Sequence, residues 1–224
     1  MYRKKYKSNL LVRELKNEDA QKLSEAKVII AGTGVLGSIV LANLISLKTG
    51  KICIVDTNEK QSKNTSKLTA RKYSGKNICV CSSNIENIEN LIPITDYDII
   101  IDCLESYDSK FVLNKIAVKN KKPLIHGAVT ETYGQVTSII PYETACLGCL
   151  FQNSDTKDIK TNEKVCPAIN AIAALQSQAA ADIILGQDND LRDVLLTYNA
   201  EDLQLKKIKL SRNPECDICS NIIC

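Results

Sequence analysis

The sequence predicts an α/β fold, a mostly parallel open sheet with helices on both faces. Three observations predict it. Short runs rich in β-branched residues recur along the chain. Helical or polar segments separate the first several of them, and a glycine-rich turn joins the first run to a helix. At 224 residues the chain is long enough to give such a sheet a full core.

Leu10 to Ala26 reads as an amphipathic helix leading into the sheet. Lys27–Ala31 (KVIIA) is a continuous apolar run of the kind a buried parallel strand needs. It passes directly into Gly32-Thr33-Gly34-Val35-Leu36-Gly37, and Ser38–Leu47 continues with helical spacing. Lys51–Val55 is the second strand, closed by Asp56. Ile78–Cys81, Asp98–Asp102, Pro123–Ile125 and Gly134–Ile140 are further strands. The polar stretch Asn153–Lys164 reads as a loop, and the alanine-rich Ala168–Leu185 as a long helix stopped by Gly186. The chain has neither an internal repeat nor a clean linker, so it reads as one domain.

Hydrophobic content of 44% and charged content of 25% are those of a soluble globular protein. A net charge of +3, with lysines scattered among acids, argues for a solvated surface and against a nucleic-acid partner. No apolar run is expected to span a bilayer, which takes about 18–20 residues, so no membrane partner is expected. Basic Met1–Lys7 is followed by a polar, helix-like stretch where a secretion signal would have an apolar core, and a cytoplasmic location is expected. Ten cysteines without a secretion signal point to metal binding or thiol chemistry instead of disulfides.

A strand, then G-x-G-x-x-G, then a helix has a mechanical purpose. Gly32 makes the tight turn, Gly34 lets a phosphate approach the backbone, and Gly37 lets helix and sheet pack closely. The helix N-terminus offers N–H groups and a partial positive charge to that phosphate. Asp56, at the end of the next strand, is placed to accept ribose hydroxyls. The motif alone does not separate NAD from ATP.

Cys146-Leu147-Gly148-Cys149 and Cys216-Asp217-Ile218-Cys219 form two C-x-x-C pairs. Each can bind one edge of a tetrahedral Zn²⁺, which would pin the tail to the sheet and, with four thiolates, keep no open position for catalysis. Two redox C-x-x-C sites or plain buried thiols are the competing readings. Cys53, Cys79, Cys81 and Cys103 lie in or beside strands and read as core residues. His126, the only histidine, follows a strand and reads equally as a substrate contact or a hydrogen-bonded structural residue.

Taken in order, VIIAGTGVLGS at Val28–Ser38, IVD ending at Asp56, IIIDCLES at Ile99–Ser106, YGQVTSIIP at Tyr133–Pro141, CLGCL at Cys146–Leu150, ALQSQAAADIILG before Gly186 and RNPECDIC at Arg212–Cys219 resemble the ThiF/MoeB/HesA family. The resemblance covers nearly the whole chain. It implies a Rossmann-like adenylation domain over residues 1–224, with a helical arm (1–26), a nucleotide-binding core (27–140) and a zinc-pinned region (141–224). The implied reaction is attack by the C-terminal glycine of a ubiquitin-like sulfur carrier, a protein ending in Gly-Gly, on the α-phosphate of ATP. A homodimer is also implied.

Carried onto this chain, the family pattern gives Asp56 the ribose, Asn64 the asparagine position and Lys76 the phosphates. Lys67 stands where the family usually has arginine, and Arg71 is the alternative cation. Glu105 and Ser106 replace the usual Asp-Asn pair, so Glu105 is the implied Mg²⁺ ligand. Tyr6-Lys7-Ser8-Asn9 lacks an arginine that members often donate across a dimer. Cys166, at the start of the alanine-rich helix, matches the transfer-cysteine position, with packing under the helix as the alternative. The departures at Lys67, Glu105 and Ser8 leave a non-catalytic docking subunit as the second reading of function, and an NAD-dependent oxidoreductase as the third.

Overall fold

Alternate residues of the central strands point to opposite faces, and here both faces are apolar. Val28 and Ile30 of β1 (Lys27–Ala31) join one core with Ile52 and Ile54 of β2 (Lys51–Asp56) and Ile99 and Ile101 of β4 (Ile99–Asp102). Ile29, Ala31, Cys53, Val55 and Ile100 face a second core on the other side. Strands buried on both sides must be covered on both sides. Helices α2 (Val35–Ser46) and α6 (Pro167–Leu185) cover the first face, and α4 (Tyr107–Lys119) with the connection around Ile85–Tyr97 covers the second.

The computed structural model describes residues 17–56, 77–151 and 167–220. Its sheet has eight strands in the order β3-β2-β1-β4-β5-β6-β7-β8, with β3 at Asn77–Ser82, β5 at Leu124–Val129, β6 at Tyr133–Ile139, β7 at Val194–Asn199 and β8 at Gln204–Lys209. The β3-β2-β1-β4-β5 half is parallel; β6, β7 and β8 are antiparallel. Short helices α1 (Asn17–Glu25), α3 (Ile88–Leu91) and α5 (Leu147–Phe151), with 3-10 turns at Ile85–Asn87 and Ile94–Asp96, complete the described elements.

The α/β prediction holds, with corrections of detail. Strand β5 runs on to Val129 because Gly127 lets the backbone pass Gln176, where a Cβ would come within 2.4 Å of that side chain. Asp98 lies before β4 and accepts from the Lys27 N–H at 2.7 Å, tying the start of one strand to the next. The hairpin of β7 and β8 was not anticipated. Its second strand, QLKKIK, is exposed along its whole length and gives no apolar alternation to read.

Helix α6 also corrects the membrane reading. By length and composition it is apolar enough to cross a bilayer, at a mean hydropathy of 1.3 over the best window. Half of that window is buried inside the domain, and Ile169, Ile172, Ala173 and Ala180 pack into the core against the sheet. Alanines on that face let the helix approach closely, which is what a core helix requires.

Candidate active site and metal centre

The chain runs β1, β2, β3 outward and then returns across β1 to β4, so the order reverses between β1 and β4. Ligands of open α/β sheets bind at such a reversal, beyond the carboxyl ends of the strands. Here the three adjacent strand ends carry the glycine turn after β1, Asp56 at the end of β2, and Glu105 just beyond β4.

The turn is built as its glycines suggest. Gly32 has φ +100, and a Cβ on it would lie 2.3 Å from the Cys103 carbonyl oxygen. A Cβ on Gly37 would lie 2.0 Å from the Gly32 carbonyl oxygen, so helix α2 presses directly on the turn. Gly34 is the N-cap of α2 and brings no side-chain cap to the helix. The Asp56 carboxylate accepts from the Thr33 N–H at 2.6 Å and from the Thr33 hydroxyl, which fixes the acid against the turn. Glu105 is exposed, one residue before Ser106, whose hydroxyl caps α4 by accepting from the Ser109 N–H at 3.4 Å. A closely packed backbone turn, an acid held against it and an exposed carboxylate are a fitting donor set for a nucleotide and its Mg²⁺.

Behind this edge lies a buried ionic network that sequence reasoning missed. Lys110 of α4 is fully buried and donates to Asp102 Oδ1 at 3.2 Å and to the Gly127 carbonyl at 2.7 Å. His126 Nδ1 is 2.8 Å from Asp102 Oδ2, and its Nε2 is 3.3 Å from the Gln135 amide nitrogen. A neutral ring that donates from Nδ1 and accepts at Nε2 satisfies both contacts. Burial, the dominant influence, pushes the His126 pKa below its ordinary value despite Asp102. Burial alone would raise the Asp102 pKa, but Lys110 and then His126 outweigh it and hold the carboxyl below the usual range. Gln135 also donates to the Tyr107 hydroxyl at 3.2 Å, and both residues line a cavity of about 200 Å³ with Val129, Thr130 and Tyr133. The network therefore sets the wall of a cavity at the carboxyl end of β5. Sequence reading reached only His126, whose alternative as a hydrogen-bonded structural residue matches its contact with Asp102 across the β4–β5 register.

The four cysteines come together. Their sulfurs all lie within 4.8 Å of one another, with Cys146 and Cys216 3.6 Å apart and Cys149 and Cys219 3.4 Å apart. A tetrahedron of Zn–S bonds of about 2.3 Å has edges of about 3.8 Å, so the donor set fits zinc. Gly148 leaves the room: a Cβ there would lie 3.0 Å from the Cys216 sulfur. Burial opposes ionisation of Cys216, but the N–H groups of Cys219 and Ile218 outweigh it and hold the thiol below its ordinary value. The Asn213 N–H donates to the Cys149 sulfur at 3.4 Å, and Arg212 clamps the knuckle through the Cys219 carbonyl at 2.7 Å. These contacts orient the ligands.

Comparison with known proteins agrees with this geometry. The profile of the ThiF family matches residues 6–75 and 60–218. The chain belongs to the ThiF family. It is 30% identical to HesA of Leptolyngbya boryana over 136 residues, an alignment covering 61% of this chain and 48% of that protein. The chain thus spans about half the length of that relative. It is 23% identical to the molybdopterin-synthase adenylyltransferase of Escherichia coli, covering 96% of this chain and 95% of the other. The sulfur carrier protein adenylyltransferase of Thermus thermophilus is 22% identical over 97% and 90%. Among solved structures, E. coli MccB with ATP superposes at a TM-score of 0.77 and 16% identity, covering 91% of this chain and 69% of MccB, which shows a shared fold.

Of the residues that the ThiF pattern implied, Gly32, Gly34, Gly37, Asp56 and Glu105 gather on one sheet edge, and the four cysteines form a separate cluster near α5. Asn64, Lys67, Arg71, Lys76 and Cys166 lie outside the described residues, as does the arm with Ser8.

Proposed function

We propose that this ThiF-family protein adenylates the C-terminal glycine of a ubiquitin-like sulfur carrier at the expense of ATP. The observation that carries the proposal is the convergence of the glycine turn, Asp56 and Glu105 on three adjacent strand ends at the reversal of strand order. Names of relatives that align over nearly the whole chain support the same substrates.

The reaction asks for positioning and charge neutralisation more than covalent help. Helix α2 would hold the phosphates through its first N–H groups, and Asp56 would orient the ribose. Lys76, with Lys67 or Arg71, would neutralise charge on the leaving pyrophosphate. Glu105 would hold Mg²⁺, whose contribution is to screen the phosphates. The carrier's terminal carboxylate would enter along the cavity walled by Tyr107 and Gln135. Cys166 would then receive the activated carrier, and the protein would act as a homodimer with a structural zinc.

The test is ATP–pyrophosphate exchange with each small protein of the same genome that ends in Gly-Gly. Exchange that depends on one carrier, drops at least about 100-fold in Glu105→Ala and recovers in Glu105→Asp supports the reading. A Cys166→Ser variant that exchanges normally but forms no covalent carrier adduct supports the transfer step. A second reading, a docking subunit without adenylation, is favoured by Glu105-Ser106 in place of the family's Asp-Asn pair. Zinc-loaded, folded protein that is silent with every carrier would establish it.

A further inference from the structure

Cys53 of β2 and Cys79 of β3 are direct register partners on neighbouring parallel strands. Both face the core that contains Tyr97. Strands in a sheet lie about 4.7–4.9 Å apart, inside the Cα separation a disulfide tolerates. The Cys79 sulfur is 3.7 Å from the Tyr97 hydroxyl. Lys51 Nζ sits 5.1 Å from the centre of the Tyr97 ring, so a cation stands over the same group. The two cysteines differ in access: Cys53 is 2% exposed, while Cys79 is only partly buried on β3, the edge strand among the described residues.

We propose that Cys79 and Cys53 form a thiol pair oxidised by hydroperoxides, in which Cys79 is attacked first and Cys53 closes a bond between the strands. In the first step the Cys79 thiolate sulfur attacks one peroxide oxygen. The O–O bond breaks, Cys79 becomes a sulfenic acid, and the leaving alkoxide or hydroxide takes a proton from water. In the second step the Cys53 sulfur attacks the Cys79 sulfur and the S–O bond breaks. Hydroxide leaves with the Cys53 proton as water, and an S–S bond joins β2 to β3. Two thiols lose two electrons and the peroxide gains them.

The electrostatics run the same way. Cys79 is pushed down to about 6, first by its register partner Cys53 and, against burial, by Tyr97 and Lys51. Cys53 is pushed up by its neighbour Cys79 and by burial, and keeps its proton for the second step. Burial raises Cys81, the neighbouring thiol on β3, so the strand presents one activated sulfur and not two.

The experiment uses the full zinc-loaded chain, reduced, then treated with about one equivalent of hydrogen peroxide and digested without reductant. Mass spectrometry should find the Cys53 peptide joined to Cys79 as the first disulfide. Brief alkylation before oxidation should label Cys79 at least about tenfold faster than Cys81. In Cys53→Ala the reaction should stop at a Cys79 sulfenic acid that dimedone traps. A first disulfide elsewhere, equal labelling of Cys79 and Cys81, or no dimedone adduct on Cys79 would each overturn the proposal. The first two readings use the unmodified protein, so they stand whether or not the variant folds.

Discussion

The two halves of the sheet are held by different physics. In the parallel half, β1 and β4 are covered on both faces by isoleucine, valine and alanine, with the buried Asp102–Lys110 pair at the end of β4. In the antiparallel half, β7 is only partly buried, β8 is exposed throughout, and the chain after them is anchored by four sulfurs and an arginine clamp. Burying one Leu or Ile side chain contributes about 1.5–3 kcal/mol, so the parallel half is stabilised by many small terms. The tail's one large term would be a metal held by those four sulfurs. The glycine turn belongs to the first kind of structure and the cysteine knuckle to the second, so the two should fail separately.

Metal removal is the strongest way to break the comparison. Stripping zinc, or substituting Cys216→Ser, should lower apparent stability by several kcal/mol, on the scale where structural zinc in small peptides contributes about 10–16 kcal/mol. Limited proteolysis should cut first after β8 and later within β1–β5. Uniform cutting across both halves would show that the metal supports the whole sheet.

Next in size is Lys110→Met. It leaves the Asp102 carboxylate buried without its cation, at a cost of about 3–5 kcal/mol, measured as a shift in the urea midpoint. The replacement fills similar space, so a change below about 1 kcal/mol would mean that His126 and the Leu104 N–H satisfy Asp102 unaided.

The pH dependence sharpens the contrast further. His126 is the only histidine, and burial holds its folded pKa below the ordinary value. As pH falls through about 6.5, the unfolded chain takes up a proton that the folded chain refuses. Stability is therefore present above that pH and is lost below it, with a slope of at most about 1.4 kcal/mol per pH unit for one proton. Urea midpoints between pH 8 and 5 should show this slope, and His126→Gln should lose it. A slope unchanged in the variant would assign the titration to other groups.

The smallest effect is expected on β8. Leu205, 59% exposed, should tolerate Leu205→Ser within about 0.5 kcal/mol by thermal melting. A larger loss would mean that the strand is covered in solution by something packing on Leu205.

How legible each region was follows the same division. KVIIA, KICIVD and IIID announce themselves because strands buried on both faces must be apolar without a break. The glycine turn and the cysteine pairs were legible because their spacing has few other uses. Lys110 was not, since a lysine on a helix normally faces water, and only the packing of α4 on β4 and β5 brings it to Asp102. The β7–β8 hairpin was hidden for the converse reason. Its stability comes from pairing with β6 and from the tail beyond it, neither of which leaves a pattern in VLLTYN or QLKKIK.

Strand β5 pairs in parallel with β4 on one side and antiparallel with β6 on the other. This gives the chain a natural order of assembly. The β5–β6 hairpin closes over a few residues and can form in about 1–10 μs, whereas β1 meets β4 only after β2, β3 and their connections have been bridged. By loop length the hairpin is expected to form before the parallel strands pair, so that β4 would dock onto a surface already paired on its far side. His126 sits on that hairpin and Asp102 on β4, so their buried hydrogen bond closes only when the docking register is correct.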